Sequence, residues 1–137
     1  MDAVDIGWLA GIMDGEGTVT LMKRYGKNNT RFRQPTLSIT STDYEILARV
    51  QSLIAGTICN VSKYKERMKS AWIWSLNGSG RVFGVLQVIG PHLSCPKKKR
   101  RTAYLLDHYL RVTKRNGHYT LGERQAKIAF EDAFFKL

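Results

Sequence analysis

The sequence predicts an α+β domain in which one four-stranded antiparallel sheet carries helices on a single face. Three observations predict it. Apolar residues alternate with polar ones at a period of two after Gly17, around Leu37 and around Trp74. They recur at helical spacing in the segments between and after those runs. The resulting order is helix, two strands, helix, two strands, then helices, and two helix-strand-strand units side by side build such a sheet. At 137 residues the chain has the length of one domain, 1–137, with no linker and no second composition zone.

In chain order, Asp5 is placed to cap a helix over residues 6–15, which Gly15 and Gly17 stop. Val19 and Leu21 then alternate with Thr18, Thr20 and Met22, the pattern of a half-buried strand. The basic, glycine-containing stretch 23–33 suits a hairpin loop, and a second strand follows with Leu37 and Ile39 inward and Thr36, Ser38 and Thr40 outward. Thr42 and Asp43 open a helix to about residue 55, in which Ile46, Leu47, Val50 and Ile54 keep helical spacing and Glu45 completes a capping box with Thr42.

Gly56 ends that helix, and residues 57–64 are expected as the third strand, with Cys59 and Val61 competing against Asn60 and Ser62 for the exposed face. A basic turn leads to a fourth strand, where Trp72, Trp74 and Leu76 share the core face and Ala71, Ile73 and Ser75 the other. Residues 82–89 form a short helix before Gly90 and Pro91. After the basic run 97–101, Tyr104, Leu105, His108, Tyr109 and Val112 mark a helix face. The last helix, 121–135, is expected to bury Ala126, Ala129, Phe130, Ala133 and Phe134.

Composition narrows the partner. Twenty-two Lys and Arg against 11 Asp and Glu leave a formal charge of +11, which favours a polyanion, and nucleic acid is the usual one. No segment approaches the roughly 18 apolar residues of a spanning helix, and Asp2 and Asp5 stand where a signal peptide would be basic. The chain is therefore expected inside the cell, without a membrane partner. Cys59 and Cys95 lack metal-ligand spacing and are read as reduced thiols, and His92, His108 and His118 as surface or cap residues.

Residues 8–17 read WLAGIMDGEG, and with Gly7 they place three glycines at i, i+4 spacing on one side of a helix. Glycine within a helix is unfavourable by about 1 kcal/mol relative to alanine. A ridge without side chains lets another backbone approach closely, which accounts for the pattern. Residues 9–17 resemble the LAGLIDADG motif of the homing endonuclease family, differing from the family name at Ile12, Met13, Gly15 and Glu16. The resemblance is specific in those nine residues and in the strand beginning at Thr18, and it extends through strand and helix order over most of the chain.

That resemblance implies the family's saddle-shaped sheet of four strands, mixed or antiparallel, with the motif helix at a dimer interface. It implies a site-specific endonuclease that cuts both strands of a long, nearly palindromic DNA duplex across the minor groove and leaves short 3′ overhangs. One motif implies a homodimer paired through Gly7, Trp8, Ala10, Gly11, Asp14 and Gly15, with a combined charge of +22, twice the chain's +11. Two alternatives use the same basic sheet: an intron RNA maturase and a DNA-binding regulator without catalysis. An acidic residue at position 16 together with lysines at 97–99 favours the enzyme.

By resemblance Glu16 is the metal-binding carboxylate, with the Gly15 carbonyl beside it and Mg2+ as the ion, Mn2+ being expected to substitute. Asp14 is read as a structural hydrogen-bonding residue. The family's catalytic lysine falls on Lys97, Lys98 or Lys99, and spacing back from Ala103 favours Lys99. Ser41 or Thr42 stands where the family places a water-ordering glutamine. A two-stranded ribbon fits the major groove, so Thr18, Thr20, Met22 and Arg24, then Gln34, Thr36, Ser38 and Thr40, then Ile73 and Ser75 are the expected DNA contacts. Lys27, Arg31, Arg33, Lys63, Lys65 and Arg67 join them from loops.

Overall fold

The computed structural model describes residues 1–23, 32–61, 70–115 and 117–137. Asp2, not Asp5, caps the first helix, α1 (Ala3–Glu16). The Asp2 carboxylate accepts from Asp5 N at 2.8 Å while the Asp5 carboxylate accepts from Asp2 N at 3.3 Å, so two orphan donors are satisfied reciprocally. α1 passes into strand β1 (Gly17–Lys23) without a linker. A Cβ on Gly17 would lie 2.8 Å from the Met13 carbonyl oxygen, so only glycine lets the helix end and the strand begin at one residue.

β2 (Arg33–Ser41) follows, then α2 (Tyr44–Ile54), β3 (Thr57–Val61), β4 (Ala71–Asn77) and α3 (Ser79–Ile89). A 3-10 turn at Gly90–His92 leads to α4 (Pro96–Val112) and α5 (Leu121–Phe135). The sheet order is β1-β2-β4-β3, and each neighbouring pair is antiparallel, so the mixed alternative falls away. In the central register Leu37 lies opposite both Val19 and Leu76, and Trp74 lies between Ile39 and Ile58. These side chains form the sheet half of the core. Leu9 and Met13 of α1, Leu47 and Val50 of α2, and Val82, Leu86 and Ile89 of α3 cover them, each fully buried. Each such side chain contributes about 1.5–3 kcal/mol of burial.

The third strand is aligned by the α2-β3 corner. Trp74 Nε1 donates to the Ala55 carbonyl at 2.7 Å, the one polar atom of a fully buried indole. Gly56 has φ of 97°, and a Cβ there would meet Ser75 O at 2.8 Å, so glycine is required on both counts. Trp72 is half-buried near the start of β4, with the Tyr44 ring packed edge-on at 5.7 Å.

Several boundaries differ from the sequence reading. α2 starts after Asp43 without a side-chain cap, so the Thr42–Glu45 box does not form. Instead the Asp43 N–H donates to Ser41 Oγ at 3.0 Å, and the strand's last hydroxyl closes the turn. α3 begins at Ser79, three residues earlier than expected. β3 ends at Val61, and residues 62–64 of the expected strand lie outside the described residues.

The largest correction is in α5. Its inward face is Lys127, Phe130 and Phe134, while Ala126, Ala129 and Ala133 are exposed. Lys127 is 1% exposed. Its ammonium donates to Thr113 Oγ1 and lies 4.1 Å from the Tyr109 ring centre and 5.4 Å from that of Phe130. Those rings take the place of water around the charge, while the alkyl stem packs as an apolar chain. Burial pushes the Lys127 pKa down to about 8, against the opposing pull of Glu131.

Candidate nucleic-acid interface

The sheet face away from the helices is built in rows. Thr18, Ser38, Ser75 and Thr57 cross all four strands in one row of hydroxyls. On one side of it lie Thr20, Thr36 and Asn77, and on the other Thr40, Ile73 and Cys59. Strand pairing thereby decides β3: Thr57, Cys59 and Val61 take the outer parity, and Asn60 lies opposite Trp72. Thr18, Met22, Thr40 and Ile73 are exposed there, and Thr20, Gln34, Ser38 and Ser75 are partly so. Both cysteines are free thiols.

Two expected DNA contacts, Thr36 from the strand and Arg33 from a loop, are not presented on this face. Thr36 is 1% exposed, and its hydroxyl donates to Asn77 Oδ1 at 2.9 Å, because the central strand is flanked on both sides at that level. Arg33 shares parity with Leu37, on the helix side. Its Nε lies 3.7 Å from a Glu131 carboxylate oxygen, its backbone N–H donates to Glu131 at 3.4 Å, and its guanidinium sits 5.0 Å from the Phe135 ring centre. Desolvation raises the Glu131 pKa, and the Arg33 N–H bond and the nearby cations oppose that rise. Arg24, Lys27, Arg31, Lys63, Lys65 and Arg67 lie outside the described residues.

Glu16 is the exposed last residue of α1. It opens onto a groove of about 310 Å³ together with Ile12, Thr40, Ser41, Thr42 and Asp43. Around Glu16 the ends of two helices are clasped. Asp14 accepts from Ser94 N at 2.8 Å and Cys95 N at 2.9 Å, supplying the cap that α4 lacks from its own residues. Lys98 Nζ donates to Met13 O at 2.8 Å and to Asp14 O at 2.6 Å. A carboxylate at a helix N-terminus and an ammonium at a helix C-terminus each complement the local dipole. Lys97 and Lys99 are exposed, so among the three lysines the one brought to the motif helix is Lys98, not Lys99.

The motif helix has an inner and an open side. Ala10 is 2% exposed and buried in its own chain's core, and the Asp14 carboxylate turns toward Ser94 and Cys95, so neither belongs to the open side. Trp8 is partly covered by the Arg49 guanidinium, 4.0 Å from its ring, which also reaches Asp5 at 3.5 Å. At Gly7, Gly11 and Gly15 a Cβ would meet nothing within 4 Å among the described residues, and Val4 beside them is 73% exposed.

Sequence reasoning missed Arg101, whose Nη1 donates to Val19 O at 2.9 Å with the guanidinium 4.7 Å from the Phe134 ring centre. Burial lowers its pKa from the usual arginine value. Among the described residues its Nε has no hydrogen-bond partner. Nothing in the run 97–101 distinguishes it from its basic neighbours, because the distinction is made by β1 and α5. No helix among the described residues is long and apolar enough to cross a membrane.

No protein-family model matches the chain. Over 113 residues it is 22% identical to the intron-encoded DNA endonuclease aI3 of Saccharomyces cerevisiae, a match covering 77% of this chain and 25% of that protein. The chain thus spans about a quarter of that relative's length. Among solved structures, the homing endonuclease I-TnaI superposes with a TM-score of 0.69 at 16% identity, over 93% of this chain and 86% of that one. The LAGLIDADG homing endonuclease I-SmaMI bound to cleaved DNA superposes with a TM-score of 0.67 at 14% identity, over 91% of this chain and 42% of that one. I-SmaMI was also solved on uncleaved DNA in the presence of calcium ions.

Proposed function

We infer that this chain, whose fold is that of the LAGLIDADG homing endonucleases, is a site-specific double-strand DNA endonuclease acting as a homodimer on a long, nearly palindromic duplex. The observation that carries the reading is the placement of Glu16. It is an exposed carboxylate at the end of α1, held by the Asp14 and Lys98 clasp, opening onto a groove at the edge of a hydroxyl-lined sheet face. The formal charge of +11 supports a polyanionic substrate. No observation favours the RNA maturase or the silent regulator.

The residues at hand suit a hard divalent cation. Among the described residues no three His, Cys, Asp or Glu side chains gather as a closed metal cage. Magnesium does not need one: it is commonly held by one or two carboxylates with substrate phosphates and water. Glu16 and the Gly15 carbonyl would hold it, and when bound it would lower the pKa of a coordinated water and offset charge on the leaving oxygen. Two Glu16 side chains brought close in a dimer would repel, and a divalent cation held beside them would offset that repulsion.

In hydrolysis the water oxygen bonds to phosphorus and loses a proton, while the bond to the 3′ oxygen breaks and that oxygen takes up a proton. Glu16 orients the water. Lys98 has three N–H donors, and two are taken by the Met13 and Asp14 carbonyls. Among the described residues nothing takes the third, which serves a phosphate oxygen where charge builds as the water attacks. Lys97 and Lys99, both exposed, contact phosphate on either side. Gly7, Gly11 and Gly15 form the surface against which a second α1 packs, so that two active sites face the two strands.

The experiment is cleavage of a randomised duplex library by the purified protein with magnesium, with calcium and with EDTA, beside Glu16→Gln. Discrete magnesium-dependent products with short 3′ overhangs, abolished in the variant, are expected. Selective binding without any cutting would replace the enzyme by a regulator.

A further inference from the structure

The outer sheet face is chemically uneven. Its centre is hydroxyl from edge to edge, and serine or threonine hydroxyls both donate and accept, so they discriminate weakly among base edges. Among the described residues this face carries two large exposed apolar side chains, Met22 at 46% and Ile73 at 36%. They differ in stiffness. Met22 has three rotatable bonds and adapts, whereas Ile73 is β-branched and stiff at χ1.

Ile73 is flanked across the strands by Thr40 and Cys59, and the next outer pair is Ala71 with Val61. Apart from the Thr40 hydroxyl these side chains are apolar, and Ile73 is the large exposed one among them. Their position is defined by register: Thr40 and Ala71 line the same groove as Glu16, so the group lies at the catalytic end of the sheet.

We propose that Ile73 is a specificity-determining residue that reads the 5-methyl group of a thymine in each half-site, on the cleavage-proximal side. This rests on the DNA endonuclease reading. The reason is the chemistry of the major groove, where the thymine methyl is the one alkyl group on any base edge, cytosine has only a C5–H at that place beside its N4 donor, and the remaining groups that mark a base are donors and acceptors. An isoleucine set against those atoms leaves them unpaired, and against the methyl it leaves nothing unpaired. Selectivity in this part of the half-site therefore concentrates on thymine over cytosine, and the hydroxyl row beside it adds little.

The test uses the target recovered by library cleavage, with each thymine replaced in turn by deoxyuridine, which removes the methyl alone. One symmetry-related pair of thymines should lose about 3- to 10-fold in kcat/KM on replacement, the size expected for one methyl withdrawn from an apolar contact. Ile73→Ser should lose the same factor on the natural target and become indifferent to deoxyuridine at that pair only. Restoring a methyl as 5-methyl-deoxycytidine should recover part of the loss that cytosine causes there in the unaltered protein. Undiminished cleavage of every deoxyuridine duplex, or an equal penalty in Ile73→Ser, would overturn the proposal while the endonuclease reading stands. Failure to cut or selectively bind any duplex would remove both.

Discussion

Asp14 and Lys98 hold each other's helices rather than each other. The Asp14 carboxylate takes the Ser94 and Cys95 N–H groups at the start of α4, while Lys98 of α4 takes the Asp14 and Met13 carbonyls at the end of α1. Neither charge is spent on the other, so both helix ends receive hydrogen bonds, and Glu16 stands exposed at the junction.

That clasp should be measurable as coupling. Asp14→Ala is expected to lower stability by about 1–3 kcal/mol in urea denaturation, since it strips hydrogen bonds to a charged acceptor. The double variant with Lys98→Met should fall short of additivity by at least about 0.5 kcal/mol. Additive effects would show that the two helix ends are held independently.

Lys98→Met should cut kcat far more than KM if its third N–H meets the phosphate only as charge builds there. Lys99→Met, in contrast, should weaken DNA binding and lower the slope of log affinity against log salt by about one. The reverse pattern would move the catalytic role to Lys99.

Arg33→Gln is expected to leave that salt slope unchanged, because the guanidinium is committed to Glu131 and Phe135 on the helix side. The partly exposed pair should contribute about 0.5–1 kcal/mol of stability, so the variant melts slightly lower and binds DNA as before. A reduced salt slope would place Arg33 on phosphate.

Gly11→Leu tests the open face of α1. Among the described residues nothing lies within 4 Å of a Cβ at Gly11, so the monomer should fold, with leucine gaining on helix propensity. Sedimentation should show loss of dimer, and cleavage should fall with it. A variant that stays dimeric and active would put the interface elsewhere.

Lys127 gives a pH signature. Its folded pKa is depressed to about 8, below the unfolded value of about 10.4 for lysine, so in that window the unfolded chain binds more protons. Stability should therefore rise from pH 8 toward pH 10, and Lys127→Met should flatten the rise and add about 1 kcal/mol at pH 7. Parallel profiles for the two proteins would assign the pH dependence to other groups.

Whatever depends on neighbours along the chain is legible in the order of residues alone. Alternation placed Val19, Leu37, Trp74 and Leu76 on one face and Thr18, Ser38 and Ser75 on the other, and the glycines around Glu16 marked a helix that ends abruptly with one side bare. These are short-range consequences of chirality, size and period. Choices among chemically equal residues were decided by what folds against them. Lys98 and Lys99 are alike until the end of α1 lies over one of them. Lys127 reads as a surface lysine until Tyr109, Phe130 and Thr113 surround it. Arg33 and Thr36 read as DNA contacts until α5 covers the first and the neighbouring strands enclose the second. A charge or hydroxyl is assigned by the partner that satisfies it, and in this fold those partners lie up to 98 residues away.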